Sequence, residues 1–307
     1  MSDERSGEQD SETTAISPLF ALIPAQLLFG SLPVIGKVVL AVIPAIGLVG
    51  IRTAITAIIL ITIQLARRRF WLKYKNDYWR FAVLSLFGVV LNQLFFISGL
   101  SLTTASNTSL LAVMIPVFAL TVGSIAGFEK LTRLKVIGIT LAAAGVIFLI
   151  DPRKASFSSE TTIGDIFIVI NCLAYGIYVA ASKDAIIRNG IFRSMMWVFI
   201  FASLVCIPLG IWSLSSVDLA AVDASIWLIA VYIGIGATAA PYLLNAWALS
   251  KVTPSTVAVF VYLQPVIGFT LAVIFLEEQI TTAFVVAAAL IFAGVFLASK
   301  KRTVAET

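Results

Sequence analysis

Residues 99–149 and residues 248–298 decide the fold, because they are two copies of one pattern. The first copy reads GLSLTTASNTSLLAVMIPVFALTVGSIAGFEKLTRLKVIGITLAAAGVIFL, and the second reads ALSKVTPSTVAVFVYLQPVIGFTLAVIFLEEQITTAFVVAAALIFAGVFLA. They align without a gap at a spacing of 149 residues, and 15 of the 51 aligned positions are identical. The informative identities lie outside the aliphatic residues that match by chance in any apolar chain: Ser101 with Ser250, Thr104 with Thr253, Ser106 with Ser255, Pro116 with Pro265, Thr121 with Thr270, Glu129 with Glu278, Thr132 with Thr281 and Gly145 with Gly294.

The duplication extends toward the N-terminus. At a spacing of 146 residues, Gly30 and Lys37 correspond to Gly176 and Lys183. Each copy then contains five apolar blocks. Since five is an odd number, the second copy enters a membrane from the side opposite to the first, which is the inverted-repeat plan of many secondary transporters. The alternative is a duplicated structural bundle that transports nothing.

The composition places the chain in a membrane. Of its 307 residues, 60% are hydrophobic and only 12% are charged, about half of the roughly 25% that is typical of soluble domains. The apolar blocks each approach the ~20 residues that span a bilayer. Helices are expected, since lipid offers the backbone no hydrogen-bond partners. The blocks lie near 18–38, 45–66, 79–99, 104–127, 133–150, 163–182, 192–212, 225–247, 254–276 and 281–299.

We therefore predict an all-α membrane protein with ten transmembrane helices in two inverted five-helix repeats, residues 17–151 and residues 163–300. Residues 1–16 are polar and acidic, which predicts a short disordered cytoplasmic tail. They lack the basic region of a signal peptide. Residues 301–307 are predicted to form a second cytoplasmic tail.

The residue inventory excludes several kinds of chemistry. The chain has no histidine and two cysteines, Cys172 and Cys206, both in apolar blocks. Serine–histidine triads, histidine metal sites and disulfide frameworks are therefore absent. We predict no enzyme activity, no cofactor and no metal site.

The basic residues predict the orientation. With both termini in the cytoplasm, 17 of the 21 Lys and Arg residues fall on the cytoplasmic side, three fall outside and Arg52 lies within a helix. This agrees with the positive-inside rule. We predict a multi-pass protein of the inner (plasma) membrane that contacts the bilayer and a small-molecule substrate but no nucleic acid. The basic run at 67–75 is read as a topology anchor, the alternative being a site for anionic lipid or nucleic acid. A homodimer stays undetermined.

The chain resembles the drug/metabolite transporter superfamily, in particular its ten-helix EamA-type members, over residues 17–300. The resemblance implies two five-helix units, export of amino acids or other small metabolites, and a cavity among all helices except the fifth and the tenth. Those two have few polar side chains and many small residues, which lets helices approach closely. The residues that carry the resemblance are Phe29–Gly30 with Lys37, Ile51–Ala54, Pro116 with Glu129 and Gly145, and Pro265 with Glu278 and Gly294.

Arg52 is the strongest single functional signal. It lies about seven residues into the second helix, or roughly 10 Å from its outer end. A charge at that depth indicates function by default, and the functional reading is an electropositive wall that attracts a substrate carboxylate. The alternative is an arginine that reaches back to the outer interface or binds helix-end carbonyls.

The other candidate binding residues are uncharged. No Asp or Glu lies deep in a predicted helix, which argues against a buried proton carrier and against cationic substrates. A polar but neutral chamber suits a zwitterion or a neutral metabolite. The alternative for each residue is a hydrogen bond between helices. Besides Arg52, the predicted substrate-binding residues are Gln26, Asn92, Gln93, Asn107, Asn171, Tyr175, Tyr242, Asn245 and Gln264.

Three pairs of residues carry more specific predictions about cavity lining, hinges and turns. Asn92 and Gln93 are neighbours on one helix, so we expect only one of them to face the cavity. Pro116 and Pro265 lie mid-helix and are predicted hinges, the alternative being static kinks. For Glu129 and Glu278 we favour a turn-stabilising role over a gating role.

These observations predict a secondary transporter that exports small metabolites, with amino acids or related zwitterions favoured. Two inverted units would expose a midplane cavity alternately to each side. The alternatives are a nucleotide-sugar or sugar-phosphate exchanger, an intramembrane enzyme, and a scaffold without transport activity.

Overall fold

The computed structural model describes residues 17–150, 161–267, 270 and 282–300. Every regular element in these ranges is a helix, which confirms the all-α prediction. We number them α1 Pro18–Leu40, α2 Ala45–Ala66, α3 Asn76–Leu102, α4 Ala105–Leu111, α5 Met114–Ile125, α6 Arg133–Ile150, α7 Thr162–Asn189, α8 Ile191–Leu214, α9 Ala224–Leu249, α10 Pro254–Ile267 and α11 Thr282–Ser299.

Six of these helices are long and apolar enough to cross a membrane: α1, α2, α3, α7, α8 and α9. The helices α5, α10 and α11 are apolar but shorter in their described parts. The count of ten membrane spans therefore stays a prediction. The predicted tails 1–16 and 301–307 lie outside the described residues, as do Glu278 and Thr281.

Two helix pairs pack through glycines, and each pair joins equivalent helices of the two repeats. Between α2 and α8, a Cβ added to Gly50 would lie 2.8 Å from the Cα of Gly210. Between α6 and α11, a Cβ added to Gly294 would lie 2.5 Å from the carbonyl oxygen of Gly138. Both helix pairs therefore approach backbone to backbone. The expectation that small residues bring α6 and α11 close together is confirmed.

The repeat is also visible in the irregularities of the helices. The helix α3 contains a π-helical segment at Leu86–Leu91, and α9 contains one at Ile235–Ala239. The two segments start 149 residues apart, which is the spacing of the sequence repeat. A π turn leaves backbone carbonyls without their usual helical donors and is frequent at functional sites.

The prolines lie next to a second pair of irregular turns. The chain breaks between α4 and α5 at Ala112 and Val113, and α10 tightens into a 3₁₀ turn at Phe260–Tyr262, again 149 residues later. The mid-helix position predicted for Pro116 is wrong, because this break makes it the third residue of α5. Proline favours such a break, since it has no N–H for the carbonyl four residues earlier. Pro265 does follow a 3₁₀ turn inside α10.

The helix ends define two ends of the bundle. Ser17 and Lys300 line one cleft, together with the loops before α6 and α10, and we call this the near end. Asp165, at the start of α7, accepts a hydrogen bond from Thr103, where α3 passes into α4. We call this opposite end, at which α2, α4, α7 and α9 begin, the far end.

Candidate functional site

A central cavity lies between the two repeats. Its walls come from α1, α2, α3, α4, α5, α7, α9 and α10, with Ala112 contributed by the break between α4 and α5. None of its described lining residues comes from α6 or α11, as the resemblance implied. The lining residues of α7 lie in the first half of that helix, and those of α4 and α5 lie in the first half of the segment that these two helices form together. Both segments begin at the far end, so the cavity extends from the middle of the bundle toward the far end.

Seven of the ten predicted binding residues line this cavity, and three do not. The seven come from α2, α3, α7, α9 and α10, so residues far apart in sequence do converge at one place. They are Arg52, Asn92, Gln93, Asn171, Tyr175, Tyr242 and Gln264.

The prediction that Gln26 and Asn245 line the cavity is wrong, because each supports a lining residue from behind. Gln26 is fully buried, and its Oε1 accepts a hydrogen bond of 2.8 Å from Gln264 Nε2. Asn245 Nδ2 donates to the Tyr175 hydroxyl at 3.0 Å. Asn245 lines a smaller cavity of about 240 Å³ beside Tyr175.

The prediction for Asn107 is wrong for a different reason. Its Nδ2 donates to both oxygens of Asp165, at 2.9 and 3.1 Å. The residue lies in the first turn of α4 at the far end, where Thr104 caps the helix by accepting from the Asn107 N–H. Asn107 therefore ties α4 to α7 with a charge-assisted interhelical bond, which is the alternative that its sequence context left open.

Arg52 is buried to 98% and does not reach an interface. Its Nε donates to Thr238 Oγ1 at 2.8 Å, and its Nη2 lies 3.3 Å from the Ala237 carbonyl. Both partners belong to the π segment of α9, so Arg52 bonds to a hydroxyl and a carbonyl within a helix rather than to carbonyls at a helix end. Nη1 has no hydrogen-bond partner in the described part of the chain. Both of the acceptors that fix the guanidinium are uncharged.

The π segment of α3 makes the matching contact. The Tyr242 hydroxyl, from the second repeat, donates to the Gly88 carbonyl at 2.6 Å. Gly88 and Ala237 lie 149 residues apart, so equivalent carbonyls of the two π segments each bind a cavity side chain of the opposite repeat. These crossed contacts fix Arg52 and Tyr242 in the wall between the repeats.

Asn92 and Gln93 both line the cavity, so the expectation that only one would do so is wrong. Neighbouring helical residues point about 100° apart, and the cavity covers a wider arc of α3 than that. The Asn92 side chain is engaged, since its Oδ1 accepts from the Tyr242 hydroxyl at 3.1 Å, and its backbone carbonyl accepts from Asn171 Nδ2 at 2.7 Å. Gln93 is 98% buried, and neither its Nε2 nor its Oε1 has a partner among the described residues.

Glu129 closes the near end by joining the two repeats. It accepts hydrogen bonds from the Ser255 N–H at 3.0 Å and from the Ser255 hydroxyl, and it forms an ion pair with Lys135. Its side chain is almost fully buried. Ser255 is the second residue of α10, where exposed N–H groups and the helix dipole favour an anion. The purely local role favoured from sequence is therefore too narrow, because the contact with Ser255 spans the repeats.

Sequence reasoning missed the apolar walls of the cavity. Phe29, Phe96 and Ile115 line it, but an aromatic or aliphatic residue in a membrane helix looks the same in sequence whether it faces lipid or a cavity. It also missed Ser255, whose pairing with Glu129 depends on tertiary structure. The repeat was the only available signal for Ser255, since it matches Ser106.

The family model described as the EamA-like transporter family matches residues 16–151 and 162–300, one match on each half of the chain. The chain belongs to the EamA-like transporter family. The sequence resemblance is thereby confirmed at the level of the family. A membrane transporter role follows from the family and from relatives in Bacillus subtilis and Archaeoglobus fulgidus that are named as transporters.

The EamA-like chain has similar relatives in several organisms. It is 22% identical over 294 residues to the uncharacterized transporter YoaV of Bacillus subtilis, covering 92% of this chain and 96% of that protein. It is 25% identical over 228 residues to an uncharacterized transporter of Archaeoglobus fulgidus, covering 74% and 78% of the two chains. A WAT1-related protein of Arabidopsis thaliana is 24% identical over 249 residues, covering 70% of this chain and 65% of that protein.

A solved crystal structure shares the EamA-like fold. It superimposes with a TM-score of 0.76 at 21% sequence identity, covering 92% of this chain and 96% of that chain. The likeness supports the fold and carries no information about substrate.

Proposed function

We propose that this EamA-like transporter exports amino acids or related zwitterions through the central cavity by alternating access. The observation that carries the proposal is the cavity itself, which lies between the repeats and is lined by Arg52, a buried guanidinium whose Nη1 has no hydrogen-bond partner among the described residues. A buried cation that lacks a counter-ion is poorly solvated. A substrate carboxylate would supply the missing partner.

The orientation follows from the charges. The cleft at the near end is lined by basic residues, and these are the loops that the positive-inside rule assigns to the cytoplasm. Both termini would then be cytoplasmic, and the membrane would be the inner (plasma) membrane. The cavity in this structure extends toward the far end, which would make this an outward-facing arrangement. The basic lining residues are Lys130, Arg133, Lys135, Lys183, Lys251 and Lys300.

Alternating access requires the near end to open while the far end closes. In this structure three successive contacts close the near half of the bundle: Tyr242 with Gly88, Asn245 with Tyr175, and Glu129 with Ser255. We propose that the irregular turns beside Pro116 and Pro265 are the hinges, since the helices that carry them reach from the cavity to the near end.

Transport is expected to run down the substrate gradient without proton coupling. No described residue that lines the cavity is an Asp or a Glu, and the sequence contains no histidine. The cavity therefore lacks the groups on which proton-coupled carriers depend.

Proteoliposomes test this expectation. Vesicles loaded with a mixture of amino acids at equal concentrations should release a subset of them faster than vesicles without protein, as measured by mass spectrometry. The initial rates should not change with a protonophore or an imposed pH gradient. Release equal to that from empty vesicles would contradict transport, and uphill movement driven by a pH gradient would contradict uncoupled transport.

The alternative of a sugar-phosphate or nucleotide-sugar exchanger is less well supported. Recognition of a doubly charged phosphate group usually involves more than one basic residue, and the described lining contains only Arg52. A scaffold without transport activity would show no release of any solute in the same vesicles.

A further inference from the structure

We propose that Arg52 and Gln93 form a subsite for a single carboxylate, and that the substrate is a monocarboxylate with an apolar body whose amino group is not required for binding. This inference rests on the proposed transport function and specifies its substrate class. It differs from recognition of a complete zwitterion, in which the ammonium group contributes as well.

The polar part of the subsite consists of groups that are buried and unsatisfied. Arg52 Nη1 and both amide atoms of Gln93 have no hydrogen-bond partner among the described residues, although each side chain is 98% buried. Buried polar atoms in proteins are nearly always paired. Arg52 Nη1 and Gln93 Nε2 are both donors, and a carboxylate offers two acceptor oxygens.

The position of this subsite is fixed before the ligand arrives. The other two nitrogens of Arg52 are held by Thr238 and by the Ala237 carbonyl. Arg52 shares the cavity wall with Tyr242, whose hydroxyl is itself bound to the Gly88 carbonyl. A guanidinium held in one orientation loses little entropy when it binds an anion.

The charge balance of the cavity favours an anion with one negative charge. Arg52 is the only charged residue among the described lining residues. One carboxylate neutralises it, and a second anionic group would be left unpaired. A substrate ammonium would meet only neutral groups, and burial of an unpaired charge is unfavourable.

The rest of the wall fits an apolar body. Besides Ala112, six lining residues are larger aliphatic or phenylalanine side chains: Phe29, Leu32, Phe96, Ile115, Ile168 and Val261. A carboxylate at Arg52 would leave an aromatic ring or a branched alkyl chain against these residues.

Three probes with the same ring separate the contributions of the two charged groups. L-phenylalanine carries both groups, 3-phenylpropanoate carries only the carboxylate, and phenethylamine carries only the ammonium. Thermal stabilisation of the purified full-length protein measures their binding. We expect 3-phenylpropanoate to bind at least as tightly as phenylalanine and phenethylamine not to bind. Binding of phenethylamine equal to that of 3-phenylpropanoate would overturn the inference.

Two variants test the named residues. Gln93→Leu removes an amide whose atoms have no hydrogen-bond partner among the described residues, so the fold should persist, whereas the affinity for 3-phenylpropanoate should fall several-fold. Arg52→Gln removes the charge, and the affinity should fall at least ~30-fold, as when a buried charge partner is lost. The matched control is Arg67→Gln, which makes the same change at the exposed end of α2 and should bind normally.

The outcomes separate this inference from the proposed function. If Gln93→Leu binds 3-phenylpropanoate as well as the wild type does, the subsite is wrong even when the vesicles transport amino acids. If 3-phenylpropanoate binds as expected but no solute crosses the vesicle membrane, the transport function is wrong and the binding site stands.

Discussion

Glu129→Ala is expected to destabilise the protein by about 3–5 kcal/mol, because it removes one partner of a buried ion pair. The substitution leaves the Lys135 ammonium, whose side chain is 13% exposed, without its carboxylate. It also leaves the Ser255 N–H at the start of α10 without its acceptor. The two repeats would then lose a contact that holds the near end closed.

The measurement is a denaturant titration of the purified protein in detergent, followed by tryptophan fluorescence. The matched control is Asp184→Ala. Asp184 faces Arg80 at 3.9 Å and has a side chain that is 65% exposed, so its loss should change the stability by only about 0–1 kcal/mol. Glu129→Gln should lie between the two, since it can keep the bond from Ser255. Equal stability of the Glu129→Ala and Asp184→Ala proteins would contradict the closing role of Glu129.

Gly88→Ala is expected to be the most damaging of the small substitutions near the cavity. The added Cβ would lie 2.3 to 2.7 Å from three ring atoms of Tyr178. The Tyr178 ring cannot withdraw easily, because it packs between the rings of Tyr175 and Tyr242 at centroid distances of 6.2 and 6.5 Å. Overpacking of this kind typically costs about 1–3 kcal/mol. It would also move the carbonyl that fixes Tyr242, so we expect transport to be lost.

Gly36→Ala is the control for Gly88→Ala. The nearest atom to its added Cβ is a methyl group of Leu32 at 3.7 Å, which is an ordinary contact. Alanine within a helix is more favourable than glycine by roughly 0.5–1 kcal/mol, so this variant should be as stable as the wild type or slightly more so. Both variants are compared for yield of monodisperse protein and for flux in vesicles. Normal flux by Gly88→Ala would show that the π segment of α3 does not position the cavity wall.

The sequence repeat predicted much of the fold, because it reports which helices are equivalent. Two equivalent pairs, α2 with α8 and α6 with α11, pack against each other, as the glycine contacts of Gly50 with Gly210 and of Gly138 with Gly294 show. The irregular turns were harder to predict from the sequence. Pro116 indicated a disturbance, but proline alone does not distinguish a kink within a helix from a break before it. The π segments have no residue signature, and only the structure reveals that they share the repeat spacing.

Polar residues in the apolar helices predicted part of the candidate site, but polarity alone does not show which of them face the cavity. Arg52 was identifiable because a charge at that depth is unfavourable unless it has a role. The amides were harder, since a buried amide bonds either to a neighbouring helix or to a ligand. Asn107 bonds to a neighbouring helix through Asp165, whereas neither amide atom of Gln93 has a hydrogen-bond partner among the described residues. That difference depends on which side chains meet in three dimensions.

Chemical modification inside the cavity tests the central claim, that substrate passes between the two repeats. The native cysteines Cys172 and Cys206 are both buried, so a new cysteine should be the reactive one. Phe96→Cys places a thiol on the cavity wall, and Ser216→Cys places one on an exposed loop as the control.

Flux of labelled phenylalanine is measured in vesicles before and after treatment with a bulky, membrane-impermeant thiol reagent. The account predicts that modification stops flux through the Phe96→Cys protein, that excess phenylalanine slows the modification, and that the modified Ser216→Cys protein transports normally. Undiminished flux through fully modified Phe96→Cys protein would contradict it.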